Sequence, residues 1–315
     1  MKKVLTAFIC LVLLFVPTVI AEEERPLIAI SQYNSSDYQM SWLALIEKYC
    51  DEMNCDMVYA NAELNVEKQL ADIESLIVQE PDVIIVRAVD SDGITSGLDA
   101  ISAAGIPCLI SSYSVNSDNY TVFLEAPQRL TGELQADYLM QILEENPELE
   151  LKVCYLWGSY GNTGCNDRFD GWYENSVAVS DRITLLDEQV ADWSTATAMS
   201  ITENWLQSYP DANCFVCQND EMAIGVANAL EGAGIDPEST WVIGIDGNEL
   251  GAVAILDGQL DATVYTDQDT DARVTIEYCV RIANGESWPD DEKVVEVNTK
   301  AIMDKNNVEE LFPDL

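Results

Sequence analysis

The run Ala212-Asn-Cys-Phe-Val-Cys-Gln-Asn-Asp-Glu-Met-Ala-Ile-Gly225 changes its periodicity in the middle. Cys214 to Cys217 is a short apolar run of the kind that forms a buried strand, whereas Met222, Val226 and Leu230 recur at four-residue steps and predict a helix from Glu221 to Gly232. Gln218, Asn219 and Asp220 lie between them. Asp220 is expected to cap the helix, its carboxylate accepting from free N–H groups of the first turn, which leaves Asn219 at the carboxyl end of the strand. Ligands of open α/β sheets bind at that end. From these residues alone, Asn219 reads either as a turn residue or as a ligand group.

The same alternation extends in both directions. Strands are predicted at Leu27 to Ser31, Met57 to Ala60, Val83 to Val86, Ile106 to Ile110 and Thr121 to Leu124. Helices intervene: one carries Leu43, Ile46, Cys50 and Met53 on a single face, a second runs Val66 to Gln79, and a third runs Ile94 to Ala104, where Gly105 ends it. The pattern then restarts with strands Lys152 to Trp157, Thr184 to Leu186, Cys214 to Cys217, Trp241 to Ile245 and Ala262 to Tyr265. A loop through Gly158, Gly161 and Gly164 and helices Asp167 to Val179 and Ala196 to Ser208 lie among them. A helix Ala272 to Ile282 and a strand Val294 to Val297 close the chain. Strands alternating with helices predict parallel sheets covered on both faces. The expected fold is therefore α/β, with two similar doubly wound parallel-sheet lobes joined by a multi-strand hinge. The first crossing is expected near Glu125 to Gln128, giving lobes of residues 22–125 plus 267–289 and 126–266 plus 290–315.

Lys2 and Lys3 precede an apolar run from Val4 to Val16, and Val19-Ile20-Ala21 stands before Glu22. Residues 1–21 are thus expected to be a secretory signal peptide cleaved near Ala21, leaving a soluble periplasmic or extracellular protein. Cys10 sits inside the apolar run behind Phe8 and Ile9, which does not suit a lipid anchor. The chain has 15 basic and 56 acidic residues and a net charge of −41. Nucleic acid and anionic membrane surfaces are repelled by such a protein. It contains no histidine, so the usual general base at neutral pH and the commonest zinc ligand are both missing. Eight cysteines follow Cys10, an even number compatible with disulfides of undetermined pairing. Cys214 and Cys217 are three apart on a strand and point to opposite faces, which disfavours chelation of one ion.

The central run resembles the Gln-Asn-Asp-Glu-Met-Ala-Leu-Gly segment of the periplasmic ribose-binding proteins, the sugar-binding half of bacterial high-affinity transporters. Three further stretches resemble the same family in the same order: the first strand with its polar loop and Tyr38, Asp90-Ser-Asp92 followed by Ile106-Pro107, and Val242-Ile-Gly-Ile-Asp-Gly247. Together they span nearly all of residues 27–300. The resemblance implies that Asn219 and Asp246 hydrogen-bond ligand hydroxyls. It makes Trp193 in Ala-Asp-Trp-Ser the stacking aromatic of the second lobe, faced by Tyr38, beside Gln39, from the first. A sugar presents hydroxyls at its edge and weakly polar C–H faces, so planar amides and carboxylates with aromatic rings suit it. Where ribose binders carry an Asp-Arg pair, this chain has Ser112-Tyr113. The family's ligand-contacting arginine falls on Asn166, with Arg168 matching a second arginine. Its late glutamine falls on Thr266, with Gln268 two residues on. The charged fork for ribose is therefore expected to be missing, and another monosaccharide, a polyol or a similar small neutral ligand is expected.

Asp267, Asp269 and Asp271 alternate like a calcium loop but lack its glycine and its closing glutamate, so they are expected to serve the N-terminus of the following helix. Arg87 ends a strand and could reach the cleft. Neither a catalytic residue nor a metal or cofactor is expected. The reading is a monomeric solute-binding protein that closes on its ligand and delivers it to a membrane ABC permease. A chemoreceptor or sensor kinase is an alternative partner, and a secreted carboxylate-dependent glycoside hydrolase is a rival function. A sugar-responsive transcription regulator would need a DNA-binding domain in place of the leader.

Overall fold

The computed structural model describes residues 25–286, 293–297 and 300–315. The expected signal peptide and its cleavage position lie outside these residues. The first half runs β1 (Leu27–Gln32), α1 (Asp37–Glu52), β2 (Asp56–Asn61), α2 (Val66–Ile77), β3 (Val83–Val86), α3 (Thr95–Ala103), β4 (Cys108–Ser112) and β5 (Val122–Glu125). After α4 (Gln128–Glu145) come β6 (Leu151–Trp157), α5 (Thr163–Asn175), β7 (Ile183–Val190), α6 (Thr195–Ser208), β8 (Cys214–Cys217) and α7 (Asp220–Gly232). The chain ends with β9 (Trp241–Asp246), α8 (Glu249–Leu256), β10 (Ala262–Thr266), α9 (Gln268–Ala283), β11 (Val294–Glu296), β12 (Lys300–Asp304) and α10 (Val308–Leu311).

Two six-stranded sheets result, ordered β11-β5-β4-β3-β1-β2 and β12-β10-β9-β8-β6-β7. The two sheets share one winding, with the strand order reversing between β1 and β3 in the first and between β6 and β8 in the second. Such switch points open a crevice at the carboxyl ends of the strands. In the first sheet Ile28, Ile30, Val83 and Ile85 pack under α1 and α9, while Ala29, Ile84 and Val86 pack on the opposite side with residues of α3. Both faces are covered, so these strands read as continuous apolar runs instead of alternating ones. Among the described residues no helix is long and apolar enough to cross a membrane, and all eight described cysteines are buried free thiols.

One expectation needs correction. Residues 290–315 were assigned to the second lobe, but β11 pairs in parallel with β5 of the first sheet, Val294 opposite Phe123. β12 then joins the second sheet antiparallel to β10, with Lys300 opposite Thr266. The chain therefore crosses between the lobes before α4, between β10 and α9, and again between β11 and β12. A three-residue edge strand carries no signal of the sheet it will join. α5 also starts earlier than the apolar spacing suggests, because Asn162 caps it, accepting from the Gly164 N–H at 2.9 Å. The sequence reading had not anticipated α4, α8 or β12.

α4 and α5 meet through glycines. A Cβ on Gly132 would lie 1.9 Å from the Arg168 carbonyl oxygen, and one on Gly171 would lie 2.3 Å from that of Arg129. These contacts are to backbone and cannot be relieved by a side-chain rotation. Gly132→Ala should therefore destabilise the protein by about 1–3 kcal/mol, the range for an overpacked interior. Urea unfolding would read this as a lower midpoint with an unchanged slope.

Candidate functional site

The carboxyl ends of the two sheets face one another, and the cleft between them is lined from both sides. The first lobe contributes Tyr33 and Ser36 from the loop after β1, Tyr38 and Gln39 from the first turn of α1, and Ser112 and Tyr113 from the end of β4. Ala126 and Gln128 come from the first crossing. The second lobe contributes Arg168 on α5, Trp193 before α6, and Asn219, Asp246 and Thr266 at the ends of β8, β9 and β10, with Lys300 on β12.

The decisive Gln-Asn-Asp triplet divides into three tasks. Gln218 fixes the floor: its Nε2 donates to the Tyr155 hydroxyl at 3.0 Å and the Cys165 carbonyl at 2.8 Å, and its Oε1 accepts from the Gly158 N–H at 2.9 Å. Asn219, not Asp220 as expected, is the N-cap of α7, its Oδ1 accepting from the Met222 N–H at 2.9 Å. Its amide nitrogen is left free of the cap and donates toward the Glu221 carboxylate, leaving its second N–H for the cleft. Asp220, one residue further, turns inward. It accepts from the Thr263 hydroxyl at 2.6 Å and the Gly247 N–H at 2.8 Å. Cβ atoms on Gly244 and Gly251 would approach its carboxylate oxygens to 2.0 and 2.1 Å, so both positions must lack a side chain.

Several lining residues hold uncommon backbone conformations. Ser112, Trp193 and Asp246 have φ of +78°, +60° and +124°, and Asp192 beside Trp193 has +51°. Non-glycine residues at positive φ cost energy and concentrate at functional sites. The Trp193 ring lies on Gly158, where a Cβ would come within 2.1–2.3 Å of it. Its Nε1 is buried without a partner. The Arg168 guanidinium is 5.8 Å from the centroids of both Tyr113 and Trp193, and so stands between an aromatic of each lobe. Arg168 Nε donates to Gln128 Oε1 at 2.8 Å and Nη1 donates to the Gln218 carbonyl at 2.6 Å.

Charge within the cleft is finely balanced. Burial pushes the Asp246 carboxyl well up, and the Asp220 carboxylate adds to this, against the pull of Arg168 and Lys300. Burial, then Arg168, lowers the Lys300 ammonium to about 7, opposed by Asp246 and Asp271. At the mouth the lobes touch. The Asp37 N–H donates to Glu221 Oε1, the Ser91 N–H to the Gly161 carbonyl at 3.1 Å, and the Thr163 hydroxyl to the Ser114 carbonyl at 3.0 Å.

Of the ten residues read from the sequence, Tyr38, Gln39, Ser112, Tyr113, Trp193, Asn219, Asp246 and Thr266 line this cleft. Asn166 and Gln268 do not. Asn166 is exposed, on the side of α5 away from Gly164, Arg168 and Trp172. Gln268 is buried behind the site, its Nε2 donating to the Tyr38 carbonyl at 2.9 Å and its Oε1 accepting from the Ser41 hydroxyl at 2.8 Å. The sequence reading missed Tyr33, Gln128 and Lys300, and had noted Arg168 without placing it in the cleft. Ser112 and Tyr113 stand in the lining where the charged pair was expected to be missing, but Arg168 and Lys300 bring positive groups to the cleft from other elements. The helical spacing of Gly164, Arg168 and Trp172, four residues apart, was the available signal for Arg168. Arg87 lies outside the lining, stacked 4.2 Å over the Trp42 ring with Nε and Nη1 unpartnered. Asp267 caps α9, accepting from the Thr270 N–H at 3.0 Å. Among the described residues no cluster could hold a metal ion.

These two lobes, with their shared winding and a cleft at both switch points, define a type I binding-protein fold. The periplasmic binding protein domain family matches residues 28–287, and the chain belongs to that family. It is 26% identical over 253 residues to the ribose import binding protein of Salmonella typhimurium, covering 79% of this chain and 83% of that protein. It is 26% identical over 296 residues to the xylitol-binding protein of Mycolicibacterium smegmatis, covering 92% and 80%. A crystal structure from Mycobacterium smegmatis in complex with β-D-fucofuranose superposes with a TM-score of 0.85 at 22% identity, covering 92% of this chain and 94% of that one.

Burial raises Asp220 to about 7 and Asp261 to about 6, in each case against hydrogen bonds that lower it. A carboxyl whose folded value lies above its unfolded one binds more protons when folded, so stability rises as pH falls through the folded value. The thermal midpoint is expected to rise between pH 7 and pH 5, and Asp220→Asn to flatten that rise. A scanning-calorimetry series across this window checks both.

Proposed function

We propose that the protein is an extracytoplasmic solute-binding protein that captures a monosaccharide or polyol between its lobes and delivers it to an ABC importer. The observation that carries this reading is the composition of the cleft. Aromatic rings from both lobes (Tyr33, Tyr38, Tyr113 and Trp193) surround planar hydrogen-bonding groups at Gln39, Arg168, Asn219 and Asp246. The rings suit the C–H faces of a sugar, and the amide, guanidinium and carboxylate suit its hydroxyls. The ribose- and xylitol-binding relatives support a ligand of this class.

Capture follows from differential affinity. A ligand that touches Tyr38 and Trp193 at once does so only with the lobes together, so binding shifts the population toward closure. The contacts at Ser91, Thr163 and Glu221 then seal the mouth. Micromolar affinity needs about 8 kcal/mol, within reach of several buried hydrogen bonds and stacked rings on a preorganised site. Among the lining residues Asp246 is the one carboxylate, and it faces a guanidinium and an ammonium. That arrangement suits hydroxyl binding. We infer that the mature protein begins near Glu22 and acts as a monomer, and that its described residues divide into 25–125, 267–286 and 293–297 in one lobe and 126–266 and 300–315 in the other.

A thermal-shift screen of ligand-stripped protein against monosaccharides, polyols, nucleosides and amino acids tests the proposal. One sugar or polyol at about 100 times its dissociation constant should add about 2.7 kcal/mol of stability, a rise of several degrees. Asn219→Ala and Trp193→Ala should each weaken that ligand by about 1–3 kcal/mol, roughly 5- to 150-fold, by titration calorimetry. A shift produced only by an amino acid or nucleoside would overturn the ligand class, and turnover of a glycoside would overturn the role.

A further inference from the structure

The carboxyl end of α1 is closed by two backbone hydrogen bonds. The Cys55 N–H donates to the Cys50 carbonyl at 2.9 Å and the Asn54 N–H to the Asp51 carbonyl at 3.4 Å, around Asn54 at φ +57°. This is the Schellman termination, in which the residue three before the cap and the residue two beyond it bring their side chains together, ordinarily as an apolar contact. Here both of those residues are cysteines. Cys50 and Cys55 are buried, 2% and 1% exposed, and the Cys55 thiol lies 3.6 Å from the Cys50 carbonyl oxygen.

We propose that Cys50 and Cys55 are a disulfide-forming pair that staples the end of α1 to the start of β2 when the exported chain meets a disulfide oxidant. The pairing does not depend on the ligand reading. The turn joins the two residues directly through the Cys55 N–H and the Cys50 carbonyl, and the Cys55 thiol is turned toward Cys50. Contact between the two thiols holds Cys55 below the usual thiol range and Cys50 above it, and Arg25 also lowers Cys55 while burial opposes. Arg25 Nη2 donates to the Cys55 carbonyl at 2.6 Å, which places that cation beside the thiol. With the Arg25 cation beside it, Cys55 is the member of the pair assigned as first nucleophile, since a nearby cation favours the reactive thiolate.

The exchange balances with an external disulfide such as oxidised glutathione. Cys55 thiolate attacks one of its sulfurs and expels a thiolate, forming a mixed disulfide. Cys50 thiolate then attacks Cys55 Sγ and expels the second. The two cysteines lose two electrons, the oxidant gains them, and the two thiol protons end on the two released thiols. Cys279 of α9 belongs to the same buried cluster but interacts with the pair only through longer-range electrostatics. The bridge would fasten an edge strand and the end of the helix whose first turn carries Tyr38 and Gln39.

The test uses the full chain, exported and purified without reductant, then alkylated in denaturant. The expected product carries six alkylated thiols of the eight present in the mature chain. Cyanogen bromide cleaves after Met53, between the two cysteines, and the flanking fragments should stay joined until reduced. Reduction should lower the thermal midpoint by a few degrees. Cys50→Ser and Cys55→Ser proteins should each show seven alkylated thiols, or six with one glutathione adduct. Eight alkylated thiols in the unsubstituted protein, or a fragment joining Cys55 to Cys279, would overturn the assignment.

Discussion

A single buried carboxylate ties together the part of the second lobe that lines the cleft. Asp220 is 1% exposed and links the start of α7 to the end of β9 through the Gly247 N–H and to β10 through the Thr263 hydroxyl. It sits where Gly244 of β9 and Gly251 of α8 have no side chains, and those two glycines make the room for it. Three cleft residues depend on this arrangement. Asn219 precedes Asp220, Asp246 precedes Gly247, and Thr266 ends the strand that Thr263 anchors. Burying an ionisable group at this position is costly, and burial pushes the Asp220 carboxyl up. The result is a fixed relative position for three cleft-lining groups at the ends of three different strands.

The first lobe reaches the same end with weaker means. Gln39 bridges the Gln32 amide and the Tyr33 hydroxyl, and Trp42 Nε1 donates to Asp271 at 2.7 Å, so α1 is held both to β1 and to α9. Gln268 adds the Tyr38 carbonyl to that network. Because α9 follows directly from β10, the chain segment that crosses between lobes also positions the aromatic of the facing wall. Strain at Ser112, Trp193 and Asp246 is distributed over both lobes and confined to strand ends and the loop before α6, where a precise side-chain direction matters more than local stability.

Much of this was legible in the residues. Continuous apolar runs such as Val83 to Val86 announce strands covered on both faces, and the repeated strand–helix order announces two equivalent lobes. Asn219 and Asp246 follow such runs directly, so their place at the strand ends could be read. Asn166 could not be placed by matching positions along a helix whose start was set four residues late; the same helix read by its inward face gives Arg168. Lys300 enters through an antiparallel partnership with Thr266 that no local pattern encodes. Edge strand β11 was read as a strand but given to the wrong sheet for the same reason. The roles of Asn219 and Asp220 were exchanged because both residue types cap helices equally well, and only the glycines facing Asp220 reveal which one turns inward.

The central claim is that ligand draws the two lobes together around groups from both. Small-angle X-ray scattering on the ligand-stripped protein, titrated with the sugar or polyol that stabilises it, measures this directly. The radius of gyration is expected to fall saturably with occupancy, and Trp193→Ala to lose that fall at concentrations that saturate the unsubstituted protein. Saturating binding with an unchanged radius of gyration would contradict it.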